Sequence, residues 1–178
     1  MTRSFVLCAS LLLASASSVP AQISPPAVAE VTIGGKAINI LYSAPSVRGR
    51  RGRIFGAGGL VSKDPTYPAW RAGANAATSF HTDADLDING LAVPEGNYTL
   101  YVWVKDPNAW ELIVNKQTRQ WGLEYDASQD LGRVKMTMAR PPAPVERLKY
   151  VLTDKGDGKG ELRLEWEDHT AAVPITVK

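Results

Sequence analysis

Apolar and polar residues alternate with a period of two along most of the chain, the pattern of strands that bury one face. The run Glu161–Glu167 shows it most plainly, with Leu162, Leu164 and Trp166 on one side and Glu161, Arg163, Glu165 and Glu167 on the other. Comparable runs cover residues 36–42, 77–83, 84–88, 98–105, 110–115, 133–139, 145–153 and 173–177. No long stretch spaces its apolar residues as a helix would, and no internal repeat is visible. Turn signals separate the runs: Asn89-Gly90, Pro94-Glu95-Gly96, Asp106-Pro107-Asn108 and the glycine-rich stretch from Lys155 to Gly160. Short strands at roughly ten-residue spacing, divided by such turns, predict an all-β fold: an antiparallel β-sandwich, jelly-roll-like, with little helix.

Two segments interrupt the alternation. Ser43 to Tyr67 is rich in Gly, Pro and Arg and longer than a mere connection, which marks it as a candidate functional loop. Gln117 to Gln129, carrying Trp121 and Tyr125, fits one helical turn or an ordered loop. The strand at 98–105 has bulky groups on both faces: Tyr98, Leu100, Val102 and Val104 on one, Thr99, Tyr101, Trp103 and Lys105 on the other. Either Tyr101 and Trp103 form an exposed aromatic platform suited to sugar rings, or the segment Ser43 to Ala74 folds over them.

The first residues follow a different rule. Arg3 precedes an apolar run from Phe5 to Leu13 and small residues ending in Val19-Pro20-Ala21, the form of a secretory signal peptide cut after Ala21. The apolar run is far short of the roughly 20 residues needed to span a bilayer, and Cys8 lies inside it rather than at its end, where lipidation would need it. The expectation is a secreted or periplasmic protein with no integral membrane segment after cleavage. Residues 22–28 then form an extended lead-in, because Pro25-Pro26 resists helix and ladder alike, and residues 29–178 form a single domain. Cleavage removes the only cysteine, so disulfides, thiol nucleophiles and thiolate metal sites are excluded from the mature chain. It also lowers the net charge from +2 to +1, since Arg3 is the only charge lost. Near-neutrality argues against nucleic acid as a partner, because displacing counterions from phosphates needs a large basic surface.

Motifs that carry chemistry are few. Asp85-Leu86-Asp87-Ile88-Asn89-Gly90 resembles the opening of a calcium loop, but the twelfth position is Gly96 and Glu95 comes one residue early. A hairpin turning at Asn89-Gly90 accounts for the same residues. His81 and His169 lack paired ligand spacing, so no metal site is expected, and no cofactor motif is present. His81 shares a strand face with Asp83 and could act with it as an acid–base pair. There is no nucleophile elbow, and Phe55-Gly56-Ala57-Gly58-Gly59 lacks the Lys-Ser/Thr ending of a phosphate loop. Arg48, Arg50, Arg51 and Arg53 form the one basic cluster, fit either for an anionic ligand or for pairing with local acids.

Taken as an ordered set, Tyr42-Ser43-Ala44-Pro45, Arg48-Gly49-Arg50, Arg53-Ile54-Phe55-Gly56, the stretch Trp70 to Thr78, Pro94 to Leu100 and Trp110 to Asn115 resemble the bacterial exported family called domain of unknown function 2911. The resemblance covers most of the mature chain and implies a secreted or periplasmic β-rich domain with no established activity. The chain departs from the pattern at Ala72, where Thr is common, at Ala76, where an acid is common, and in a longer Ser62 to Ala69. It supplies no mechanism.

The candidate ligand-binding residues are Tyr42, Arg50, Trp70, Arg71, Asn75, Thr78, Tyr101 and Trp103. Arginine and amide donors set on a small-residue backbone leave room for a glycan or a small organic anion. Arg71 and Asn75 are donors aimed either at such a ligand or at the protein's own backbone carbonyls. A non-catalytic binding module is therefore the first expectation. A hydrolase with His81 or Asp83 as proton carrier near residues 70–83 is the second, and a structural or protein-interaction domain the third.

Overall fold

A computed structural model describes residues 23–178. The predicted leader and its cleavage position lie outside the described residues. Thirteen strands follow in chain order: β1 (Pro26–Ile33), β2 (Lys36–Ser43), β3 (Ala69–Trp70), β4 (Thr78–Thr82), β5 (Leu86–Ile88), β6 (Leu91–Val93), β7 (Gly96–Asp106), β8 (Ala109–Asn115), β9 (Asp130–Lys135), β10 (Thr137–Ala139), β11 (Val145–Gly156), β12 (Lys159–Glu167) and β13 (His169–Val177). They form two antiparallel sheets, as the alternation predicts. One runs β1-β2-β4-β7-β8-β9, with β3 also pairing β7; the other runs β11-β12-β13-β5-β6, with β10 also pairing β13. Among the described residues no helix is long and apolar enough to cross a membrane, and the two helical elements are single 3-10 turns at Val61–Lys63 and Ala127–Gln129.

The inward positions of both sheets meet in one buried cluster. Ile38, Ile40, Phe80, Leu100 and Leu112 come from the first sheet, and Leu148, Leu162, Leu164, Val173 and Ile175 from the second. Burying these side chains drives the pairing, each contributing about 1.5–3 kcal/mol. Register follows from the turns. Asn89 and Gly90 both adopt positive φ, 49° and 92°, as a two-residue hairpin turn requires, so that Ile88 faces Leu91. Asp87 is spent on that turn: its Oδ1 accepts the Gly90 N–H at 2.7 Å, while Asp85 Oδ1 accepts the Glu95 N–H at 2.9 Å. The hairpin, not a cation loop, orders these carboxylates.

The structure differs from expectation at two places. β1 begins at Pro26, inside the stretch expected to be a lead-in: Pro26 pairs Ser43, and the Pro25 carbonyl accepts the Ala44 N–H at 2.8 Å. Proline is tolerated at the first position of a strand, so the pair ends the ladder instead of preventing it. The outer face of β7 is also covered mainly by a different segment from Ser43–Ala74. Tyr101 packs on Tyr125, its hydroxyl donates to the Glu124 carbonyl at 2.8 Å, and the Gln120 amide donates to that hydroxyl at 3.1 Å. Of the Ser43–Ala74 stretch, Ala69 reaches this small cluster.

The long segment instead closes one end of the sandwich. It leaves β2, runs beside the outer edge of β11 through a Ser46–Arg147 bridge and a Val47 N–H bond to the Glu146 carbonyl at 2.8 Å, then crosses to β3. Val47, Ile54 and Val61 are buried in the main core and anchor it. It thus pairs the start of the outer edge of β11, at Glu146 and Leu148.

Candidate functional site

Each arginine of the basic cluster for which a bond is resolved is turned toward the protein. Arg50 donates from Nε to the Val47 carbonyl at 2.9 Å and from Nη2 to the Ser46 carbonyl at 2.7 Å. Arg53 donates to the Gly49 carbonyl at 2.8 Å. Arg51 grips Asp168 with two nitrogens, at 2.8 and 2.7 Å. Arg51 thus pairs with a local acid and pins the loop to the β12–β13 turn, while Arg50 and Arg53 bond carbonyls of their own loop.

Beneath this loop lies a cleft of about 260 Å³ lined by Ser24, Ser46, Arg48, Arg50, Asp64 and Arg71, with Trp70 and Trp166 among its walls. Arg71 is the group whose chemistry is unfinished. Its side chain is 17 % exposed, and Nε and Nη1 are buried without a hydrogen-bond partner. Asp64 Oδ2 stands 3.5 Å from Nη1, close enough for an ion pair and too far for a good hydrogen bond. Gly122 makes this placement possible, since a Cβ there would lie 2.1 Å from Arg71 Cδ.

The neighbouring candidates hold Arg71 in place. Thr78, fully buried, donates its hydroxyl to the Arg71 carbonyl at 2.9 Å. The Tyr42 hydroxyl accepts the Tyr150 N–H at 3.2 Å, and the Tyr150 hydroxyl donates to the Ala72 carbonyl at 3.0 Å, tying the turn to β11. Burial pushes the Tyr150 phenol far above its ordinary range, so it stays a donor. Asn75, at φ 61°, sends its amide toward the Ser24 carbonyl and Ser43 Oγ, both at 3.4 Å. Its own carbonyl accepts the Gly122 N–H at 3.1 Å. Of the pair Arg71 and Asn75, the amide therefore faces the protein, and the guanidinium is left with unmet donors.

The remaining candidates lie elsewhere. Tyr101 is fully buried, and Trp103 is half-buried under the Arg133 guanidinium, 4.4 Å from its ring centre. His81 stands on the outer face of β4, bonded to Asp83 at 2.7 Å and to Asn97 at 3.0 Å. It borders a shallow depression that Arg71 does not line. The two do not meet in one cleft.

A cluster that the sequence reading passed over sits at the β12–β13 turn. Glu167 is 2 % exposed and at φ 56°, a conformation that costs a non-glycine residue roughly 1 kcal/mol or more. One of its oxygens accepts the Gly52 N–H, and the other lies 3.6 Å from His169 Nδ1. The His169 ring stacks on Trp110 at 5.0 Å and 14°. Glu167 and His169 border a second cleft of about 580 Å³, shared with Phe55, Asn108, Met138 and Arg140. Burial holds the His169 imidazole below its ordinary range and raises the Glu167 carboxyl. The available sequence signal was three consecutive ionisable residues, Glu167-Asp168-His169, closing a predicted strand.

Fold and clefts together define a two-sheet antiparallel sandwich whose end is capped by a long arginine-bearing loop. The chain belongs to the protein family of unknown function DUF2911, whose model matches residues 24–175. No curated protein and no solved structure matches the chain.

Proposed function

We propose that the protein is exported and carries, in the Arg71 cleft, a non-catalytic binding site for a small organic anion, with the Arg71 guanidinium as its anchor. One observation carries the proposal: Nε and Nη1 of Arg71 are buried without hydrogen-bond partners beside a cleft. Leaving such donors unmet costs about 1–3 kcal/mol each, so an acceptor from outside relieves a standing penalty. A carboxylate matches the guanidinium fork in shape and charge. Arg48 and Arg50 outnumber the single carboxylate, Asp64, among the other charged groups lining the cleft, which favours a negative ligand.

Size selects among the ligands the sequence allowed. About 260 Å³ suits a molecule of a few heavy atoms better than an oligosaccharide. The glycan alternative also relied on an aromatic platform, and Tyr101 is buried. Export rests on the leader at residues 1–21.

Calorimetric titration of the mature protein with acetate, benzoate, succinate, phosphate and neutral disaccharides tests the proposal. Saturable binding of a carboxylate, weakened about tenfold or more in Arg71→Lys, supports it. Absence of binding across the panel overturns it. The Asp64 ion pair favours a structural second reading, in which Arg71→Met lowers stability and no anion binds.

A further inference from the structure

The second cleft joins four features that the Arg71 proposal does not use. Glu167 is a nearly fully buried carboxyl in a strained hairpin position. His169 turns Nδ1 toward it, and that nitrogen is buried with no hydrogen bond. His169 lines the cleft, and of its two ring nitrogens only Nδ1 is both buried and without a hydrogen-bond partner, which leaves Nε2 as the nitrogen available to a ligand. The imidazole plane is fixed by Trp110 stacked on one side and Phe55 edge-on at 4.9 Å. The side chains of Asn108 and Arg140 border the same space and make no hydrogen bond among the described residues.

We propose that this cleft is a hydrolytic site for small uncharged esters, in which His169 is the general base and Glu167 the positioning residue. A carboxylate behind one imidazole nitrogen fixes the tautomer that carries its proton there and leaves the other nitrogen's lone pair free to act. Here Nδ1 faces the Glu167 oxygen, so Nε2 is the basic nitrogen. Catalytic hydrogen bonds that are long in a free enzyme commonly tighten once substrate binds, and the 3.6 Å separation of Nδ1 from Glu167 is of that kind. His169 Nε2 takes a proton from a water molecule, and the oxygen so freed bonds to the acyl carbon. The bond from that carbon to the leaving alcohol's oxygen breaks, and the proton on Nε2 passes to the departing alkoxide. The products are a carboxylic acid and an alcohol, with the neutral imidazole restored. Arg140 and Asn108 are the donors available to the oxygen that gains charge in between. Phe55 and Met138 offer the acyl group an apolar wall.

Burial also sets the charge state of His169. Burial holds His169 below its ordinary range, with Arg140 pushing the same way and Asp168 opposing, so the imidazole is neutral and basic at neutral pH. Arg51 binds the Asp168 carboxylate with two nitrogens, and Glu167 is the carboxyl that stands nearest to Nδ1, at 3.6 Å. A cleft of about 580 Å³ admits short acyl chains.

The test is hydrolysis of p-nitrophenyl acetate and butyrate by the mature protein, compared with free imidazole at equal concentration. The wild type is expected to exceed imidazole about 100-fold or more, with a rate that rises with pH through a value below that of free histidine. His169→Phe, which keeps the aromatic stack, is expected to fall to the imidazole level, whereas His81→Gln retains the full rate. Glu167→Gln is expected to lower kcat with KM unchanged and to displace the pH profile. Thermal melts establish that the variants are folded. A wild-type rate no greater than that of imidazole, or a rate that survives His169→Phe, overturns the proposal.

Discussion

Trp70 and Trp166 stack face to face across the two sheets, with ring centres 5.7 Å apart and planes 13° from parallel. Trp70 belongs to β3 and Trp166 to β12, and Phe55 of the capping loop sets its ring edge-on to both, at 5.1 and 5.8 Å. This contact keys the loop into the core, so loop position and sheet packing are one property. Trp166→Ala is expected to lower unfolding free energy by about 3–5 kcal/mol, from lost burial and the void left behind. Urea denaturation measures it, and a loss under about 1 kcal/mol would show that the stack is not part of the core.

Gly122 approaches Arg71 more closely than any other residue type could. A Cβ there would meet Arg71 Cδ at 2.1 Å and the Asn75 carbonyl oxygen at 2.6 Å. The first contact can yield because the side chain is flexible, and the second cannot without moving backbone. Gly122→Ala is expected to cost about 1–3 kcal/mol and to displace the guanidinium. Equal denaturation midpoints for the two proteins would refute the close approach.

Acid sensitivity should follow His169. Burial places its folded pKa below the ordinary 6.5, so the fold favours the neutral ring. The associated stability is fully present above about 6.5 and is lost as pH falls through the lower folded value. Glu167 acts oppositely: its raised pKa stabilises the protonated form, and that contribution fades as pH rises through it. The difference in melting temperature between wild type and His169→Phe isolates the first effect. It should move in favour of the wild type as pH is raised from about 5 to 7.5, and a difference that is flat with pH would count against a buried neutral imidazole.

Arg51 and Asp168 fasten the loop to the β12–β13 turn. Asp168→Asn should leave the global melt nearly unchanged and open the loop locally. Limited trypsin digestion under native conditions is expected to cut faster at Arg48, Arg50, Arg51 and Arg53. Cleavage as slow as in the wild type would mean that the Gly52–Glu167 bond and the buried Ile54 suffice to hold it.

How far the sequence reaches depends on which interactions are local. Alternation at 161–167 and 98–105 specifies strand and facing because one side of each must be buried, and Asn89-Gly90 specifies its hairpin through backbone conformation. β1 was obscured by Pro25-Pro26, since a rule against proline in ladders does not extend to a strand's first residue. The cover over Tyr101 could not be read because Gln120 and Tyr125 reach it only after the chain folds back from β8. Among the candidate site residues, Thr78 bonds the Arg71 carbonyl directly, whereas Tyr42 reaches that turn only through Tyr150 and Ala72. The approach of Glu167 to His169 stayed hidden because alternation put Glu167 on the outward, charged face of its strand. The turn reverses that assignment by giving Glu167 a positive φ.

The central claim concerns two nitrogens of one side chain. The most direct measurement follows the Arg71 Nε–H resonance, assigned by its loss in Arg71→Lys, while acetate or benzoate is added to the isotope-labelled protein. A saturable shift confined to Arg71 and its cleft is the predicted result. A resonance that stays fixed while the protein remains folded, at concentrations where bulk arginine signals begin to move, would contradict the account.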